Sequence, residues 1–184
     1  MKIPSLTIWF LPAVLLVLEN QTHVAAAPSS DLGIGDIPAA ILNLLLSPGL
    51  QVSQLNIEMS VLTLLLNTAS LDFDAVTPVP LVEITVDGMS AQIGTQGTPF
   101  FSFNQTFSNF VLSGLNPINS GIVPNVELTQ GALQTLNVIS DTRFDILSAT
   151  YDLRVLTVNG TGGIPLSLPA AQLSVPTKLD FQCP

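Results

Sequence analysis

The chain has 184 residues, of which only 9% are charged, and its 13 acidic side chains outnumber four basic ones for a formal net charge of −9. Its single histidine, His23, and single tryptophan, Trp9, fall in the first 27 residues, so everything after them carries Arg143, Arg154 and Lys178 as its cations and Cys183 as its only cysteine. That inventory removes the side chains on which hydrolytic triads, zinc sites and nucleic-acid grooves depend, and leaves an acidic, strongly apolar chain.

Residues 1–27 read as a secretory signal peptide. Lys2 supplies a positive start, Leu6 to Leu18 is apolar apart from Thr7 and Pro12, and Ala25, Ala26 and Ala27 offer small residues for cleavage. The run is shorter than the roughly 20 apolar residues that span a bilayer. An uncleaved anchor is the alternative; a secreted, extracellular product, residues 28–184 as one domain, is the expectation. No later segment reads as a membrane span, since Val61 to Leu66 contains Thr63 and ends at Asn67. Two sequons fit the secretory route: Asn104-Gln105-Thr106, on the polar side of an alternating run, and Asn159-Gly160-Thr161, at a glycine-rich turn. Cys183 has no partner within the chain, so it is either a free terminal thiol or a bridge to a second chain, which makes a homodimer one of the expectations. The negative charge disfavours nucleic acid and anionic lipid as partners.

In chain order, Pro28 to Gly35 is a polar lead-in. Asp36 reads as a helix N-cap with Pro38 in the first turn, and Ile37, Ile41, Leu44 and Leu45 share a stripe that ends at Ser47-Pro48-Gly49. The next segment fits two periods. Leu55, Ile57, Met59 and Val61 alternate as in a strand, whereas Leu55, Met59, Leu62 and Leu66 fit a helix. The first part is assigned to strand and the second is left open. After Asp72 the chain reads as β. Val82, Ile84 and Val86 alternate with polar residues, and Phe101, Phe103 and Phe107 face one way until the parity flips near Asn109-Phe110, which predicts a bulge. Val126 and Leu128 mark a short strand. From Arg143 to Val158 the apolar face switches between Ile146 and Leu147, which predicts a second bulge. The turn at 159–163 then leads into Ile164, Leu166 and Leu168 as a hairpin, with Pro165 confining that strand to an edge.

Catalytic and metal readings find little support in this order of residues. Asp141 with Asp145, or Asp72 with Asp74, form carboxylate pairs that solvated turns and edges also produce. Asp72 and Asp74 lack the glycine and closing glutamate of an EF-hand loop. The cluster of phenylalanines from Phe100 to Phe110 has two readings, an ordinary core face or the wall of an apolar pocket. Tyr151 is either a boundary residue with its hydroxyl in water or the single polar contact of such a pocket.

Three stretches together resemble the takeout and juvenile-hormone-binding family of arthropod secreted proteins, within the tubular lipid-binding superfamily. These are Pro80-Leu81-Val82-Glu83-Ile84-Thr85-Val86, the run from Phe103 to Leu115 (FNQTFSNFVLSGL), and Phe144 to Leu153 (FDILSATYDL) before the glycine-containing hairpin. The chain departs from the family in having no cysteine pair near the mature N-terminus and in ending at Pro184, so the resemblance implies a shortened relative, a partial gene product or a half-module that pairs with another subunit. The expected fold is α+β: a strongly curled antiparallel β-sheet with a short N-terminal helix, a partial form of the tubular architecture. The expected function is non-catalytic carriage of a small hydrophobic molecule, a terpenoid or fatty-acid-like lipid, without a cofactor. Phe101, Phe103, Phe107, Val111, Tyr151 and Leu153 are the candidate ligand wall. The rival expectation is a secreted structural or interaction module, joined through Cys183 or a sheet edge.

Overall fold

The computed structural model describes residue 35 and residues 37–182 except 48 and 80. The expected leader, the proposed cap Asp36, and Cys183 lie outside the described residues. The elements run α1 (Ala39–Leu46), β1 (Gln51–Ser60), α2 (Val61–Leu65), β2 (Thr68–Val76), β3 (Ile84–Thr95), β4 (Thr98–Leu112), β5 (Ile118–Asn119), β6 (Val123–Leu128), α3 (Ala132–Leu136), β7 (Arg143–Val155) and β8 (Ile164–Gln182).

The expected curled sheet is present, but it goes further and closes. Its strand order is β1-β8-β7-β3-β4-β6-β2, and β2 returns to pair with β1, so seven strands form a ring with β5 appended to β2. The helices are short connectors, so the α+β expectation gives way to a β-barrel with an N-terminal helix beside it. The sheet is also not wholly antiparallel. Alternating strand directions around a ring with an odd number of members leaves one pair facing the same way. That pair is β1 and β8, parallel from Leu55↔Thr177 to Ser60↔Gln182.

Alternation decides which side of each strand is core. Ala69, Leu71, Phe73 and Ala75 of β2 are buried between partly exposed neighbours. Both expected parity switches are bulges. On β4, Phe110 pairs with Val86 and Thr106 with Gly88, so three residues of β4 face one of β3 and the apolar face passes from Phe101 and Phe103 to Phe110 and Leu112. On β7, the register shifts between Ile146 and Ala149, which puts Phe144, Ile146, Ala149, Tyr151, Leu153 and Val155 all inside. The β3–β4 hairpin turns through Gln96 and Gly97, both at positive φ (51° and 78°), as a two-residue turn between twisted strands requires. A Cβ on Gly94 would run into the Thr98 backbone, so glycine is required where these strands approach.

The segment that fitted two periods is both. Its first part is β1, and α2 begins where the Ser60 side chain accepts from the Thr63 N–H (3.2 Å) while the Thr63 hydroxyl accepts from the Ser60 N–H (2.8 Å). Helix α1 begins one turn position later than expected, with Pro38 as its N-cap and no side-chain cap bond. It buries Leu45 and half-buries Ile41 and Leu42, whereas Leu44 faces outward.

Two seams interrupt the ring. β4 pairs with β6 only at Phe101↔Leu128 and Ser102↔Glu127, so among the described residues Phe103 to Leu112 have β3 on one side and no strand on the other. Behind this seam Phe73 sits 5.7–6.4 Å, ring to ring, from Phe103, Phe107 and Phe110. The second seam is along β8. Its first half pairs with β7 alone, in keeping with Pro165, and it joins β1 only from Thr177. Between these regions the Gln172 amide accepts from the Val52 N–H (2.9 Å) and donates to the Val52 carbonyl (2.7 Å), taking the place of a backbone partner.

The β7–β8 hairpin is held down by charge. Arg154 grips both carboxylate oxygens of Asp87 (2.7 and 2.8 Å) and donates to the Gly160 and Gly162 carbonyls. The Glu83 carboxylate accepts from the Gly160 N–H and the Thr157 hydroxyl, both at 2.8 Å. These bonds, the Gly160 N–H first, hold Glu83 below its ordinary value of 4.5. A depressed carboxylate stabilises the fold above its unfolded value, and the contribution is lost as pH falls through the folded one. The Gly160 amide resonance is therefore expected to titrate with a midpoint below 4.5 and to stop titrating in Glu83→Gln; a midpoint at or above that value would contradict the clamp.

The aromatic cluster sets a second expectation. Phe73 is 0% exposed, so Phe73→Ala should cost about 3–5 kcal/mol in urea unfolding. Leu62, 66% exposed on α2, should change stability by less than ~0.5 kcal/mol when truncated to alanine. Equal losses at the two positions would refute this assignment of core and surface.

Candidate functional site

The strongest candidate lies at the β8 seam, where the end of α1 comes beside the middle of the strand. A partly enclosed pocket of about 500 Å³ is bounded by Leu45 of α1, Leu50 before β1, Leu168, Ala170 and Leu173 of β8, and Tyr151 of β7. Leu45, Leu50, Leu168 and Tyr151 are buried, while Leu46 and Leu173 are 60% and 78% exposed at its rim. Tyr151 reaches this place because the β7 bulge turns it inward, opposite Leu168. The Gln172 amide closes one side, both its polar atoms already bonded to Val52.

Tyr151 is the chain's single tyrosine and is 3% exposed. Among the described residues its hydroxyl has no hydrogen-bond partner, yet no buried side-chain polar atom there lacks one. Tyr151 forms part of the pocket wall. Burial pushes the phenol well above its ordinary value of 10.0, so at neutral pH it is an uncharged donor in apolar surroundings. The pocket can hold an apolar body and make one hydrogen bond to a polar group on it.

The sequence-derived wall is not one surface. Phe101 stacks edge-on with Phe144 at 5.7 Å inside the barrel, and Phe107 packs against Phe73 and Phe110. Leu153 is buried between Val86 and Leu166. Val111 has the opposite parity from Phe110 and Leu112 and lies against the Gly160 turn. Phe103 borders a different cavity, a polar trough described below. Only Tyr151 of the six lines the apolar pocket. Its other walls, Leu45 and Leu168, were visible in the sequence as apolar faces of separate elements, but nothing local joins them to Tyr151.

The acidic pairs have structural partners. The Asp72 and Asp74 carboxylates both accept from the Asn119 side-chain amide (2.7 and 2.8 Å), and Asp72 also accepts from Asn56. Asp145 accepts from the Ser174 N–H. Among the described residues no three His, Cys, Asp or Glu side chains gather to hold a metal ion, and no helix is long and apolar enough to cross a membrane. No protein-family model matches the chain, and comparison with curated proteins returns no match.

Tyr151 also supplies its own probe. A raised folded value stabilises the fold below the unfolded value and is lost as pH rises through the folded one. Phenolate absorbance should therefore stay absent through pH 10.0 in the folded protein and appear together with base unfolding. Ionisation at the ordinary value with the fold intact would place the hydroxyl in open water.

Proposed function

We propose that this is a secreted carrier of a small hydrophobic molecule, held in the pocket between α1 and β8. The observation that carries the reading is the Tyr151 phenol, without a hydrogen-bond partner among the described residues, on the wall of a cavity that leucines and alanines share with Gln51 and Gln172. The ligand it suits is a terpenoid or fatty-acid-like molecule with one hydrogen-bonding group. Apolar burial, on the order of 25 cal/mol per Å² before the costs of association, drives binding, and Tyr151 fixes orientation. The takeout-like stretches add support from sequence, since they fall on β3, β4 and β7, which are consecutive neighbours in the barrel wall. A role without catalysis, and export through the leader, complete the reading.

The test uses leader-free protein and a terpenoid alcohol. Its binding should change Tyr151 fluorescence, and calorimetry of Tyr151→Phe should show a loss of about 0.5–1.5 kcal/mol, one net hydrogen bond. Leu173→Asp, at an exposed rim position, should abolish binding with an unchanged melting temperature. Undiminished binding in Leu173→Asp would remove this pocket from the function.

One observation favours the rival interaction module. At the other end of β1, Val61, Leu62, Leu65 and Leu66 of α2 are all exposed. Gln182, the residue before Cys183 in the sequence, pairs there with Ser60, the α2 cap. A dimer on non-reducing gels that is lost in Cys183→Ser, with no lipid bound, would support that reading over the carrier.

A further inference from the structure

The second cavity is a trough of about 550 Å³ on the outer face of β7, β3, β4 and β6. It is more polar than the Tyr151 pocket. Two polar rows cross three adjacent strands: Asn104, Ser90 and Thr150 in one register, and Ser102, Gln92 and Ser148 in the next. Glu127 pairs with Ser102 and extends the second row onto β6. Among the described residues, none of these side chains makes an intramolecular hydrogen bond, although most polar side chains elsewhere on the barrel do. The result is a concave set of hydroxyls, amides and one carboxylate with unused donors and acceptors.

Asn104 is both a wall of this trough and the acceptor of a sequon whose third residue, Thr106, is exposed. It also stands at the start of the β4 stretch that has no strand on its second side. We propose that Asn104 carries an N-linked glycan whose first sugars lie in this trough. Attachment joins the Asn104 amide nitrogen to C1 of the reducing-end N-acetylglucosamine of a diphosphate-linked lipid oligosaccharide. The nitrogen releases a proton, the C1–oxygen bond to the diphosphate breaks, and the lipid diphosphate leaves. The proximal sugar hydroxyls and acetamide then bond to Ser90, Thr150, Gln92 and Ser148. Asn159 lies differently, exposed on a turn at φ 51° and outside the trough. Its glycan would project into water.

This inference shares with the carrier reading only the secretory route. Its test is performed on wild-type protein secreted from a eukaryotic host. Glycopeptide mass spectrometry should find both Asn104 and Asn159 occupied. Endoglycosidase digestion of the folded protein should release the Asn104 glycan on the order of tenfold more slowly than the Asn159 glycan, the protection that a few net hydrogen bonds provide. Denaturation should remove the difference. Ser148→Leu, which fills the trough from an exposed position, should bring the Asn104 rate up to that of Asn159 without altering occupancy. An unmodified Asn104, with Asn159 occupied or not, overturns the inference and leaves the secretory route standing, since the protein is recovered from the medium, and leaves the carrier reading to its own lipid-binding test. Equal release rates in the folded wild-type protein would show that the glycan does not occupy the trough.

Discussion

The structure depends on closure of a curled sheet through one parallel pair. A sheet with an apolar face must cover it, and this chain covers it by rolling the sheet onto itself. Closure removes the edges of β1 and β8 that an open sheet would leave bare. It also fixes the parallel pairing, because seven strands cannot alternate direction all the way around. β8 makes this possible by being long: its 19 residues serve β7 with the first part and β1 with the last. Where it changes neighbours, the Gln172 side chain supplies the donor and acceptor that no backbone provides to Val52. That substitution follows from the cost of leaving a buried peptide group unpaired.

Both cavities follow from imperfections in the closure. At the β8 seam no strand pairs with the first half of β8 opposite β7, and the end of α1, with Leu45 and Leu46, borders the space that remains. At the β4 seam, pairing with β6 stops after two residues, near where Asn125 takes a positive φ of 56°. The phenylalanines seal that gap from within, so the space left over is on the outside and polar. Parity shapes the second: the polar rows of β3, β4 and β7 are the outward residues of those strands.

Much of the barrel wall was legible in the sequence because burial on one face imposes alternation. The strands around Val86, Phe103 and Leu153 were visible, and so were their bulges, since a bulge reveals itself as a switch in parity. The hairpin at Asn159 was marked by its glycines. Less was visible where packing outweighs local preference. Thr177 to Gln182 of β8 pair with β1 on the strength of contacts about 120 residues away, and Pro169 and Pro176 disguise the strand leading to them. Helix α2 follows from the reciprocal Ser60–Thr63 cap rather than from an apolar stripe: Leu62 and Leu65 face outward and only Leu64 packs against the core. The phenylalanines drew attention as a pocket wall because composition reports aromatic density and not which neighbours fill the space. Tyr151 could be singled out as the one phenol; that it lines a pocket with Leu45 and Leu168 depends on three elements from separate parts of the chain.

The position of β8 in the chain bears on how the molecule is made. Among the described strands β1 leaves the ribosome first and its parallel partner last, so this ring stays open until β8 has been made. Until β8 arrives, β1 and β7 each present a bare ladder, and the apolar interior faces the surroundings. The pairings that end this state span most of the chain, and such non-local contacts form slowly. Assembly is therefore a late, all-or-none step, and an incomplete chain is a sticky one. The final strand acts as a latch: its arrival turns an aggregation-prone sheet into a closed wall and, in the same movement, creates the pocket behind it.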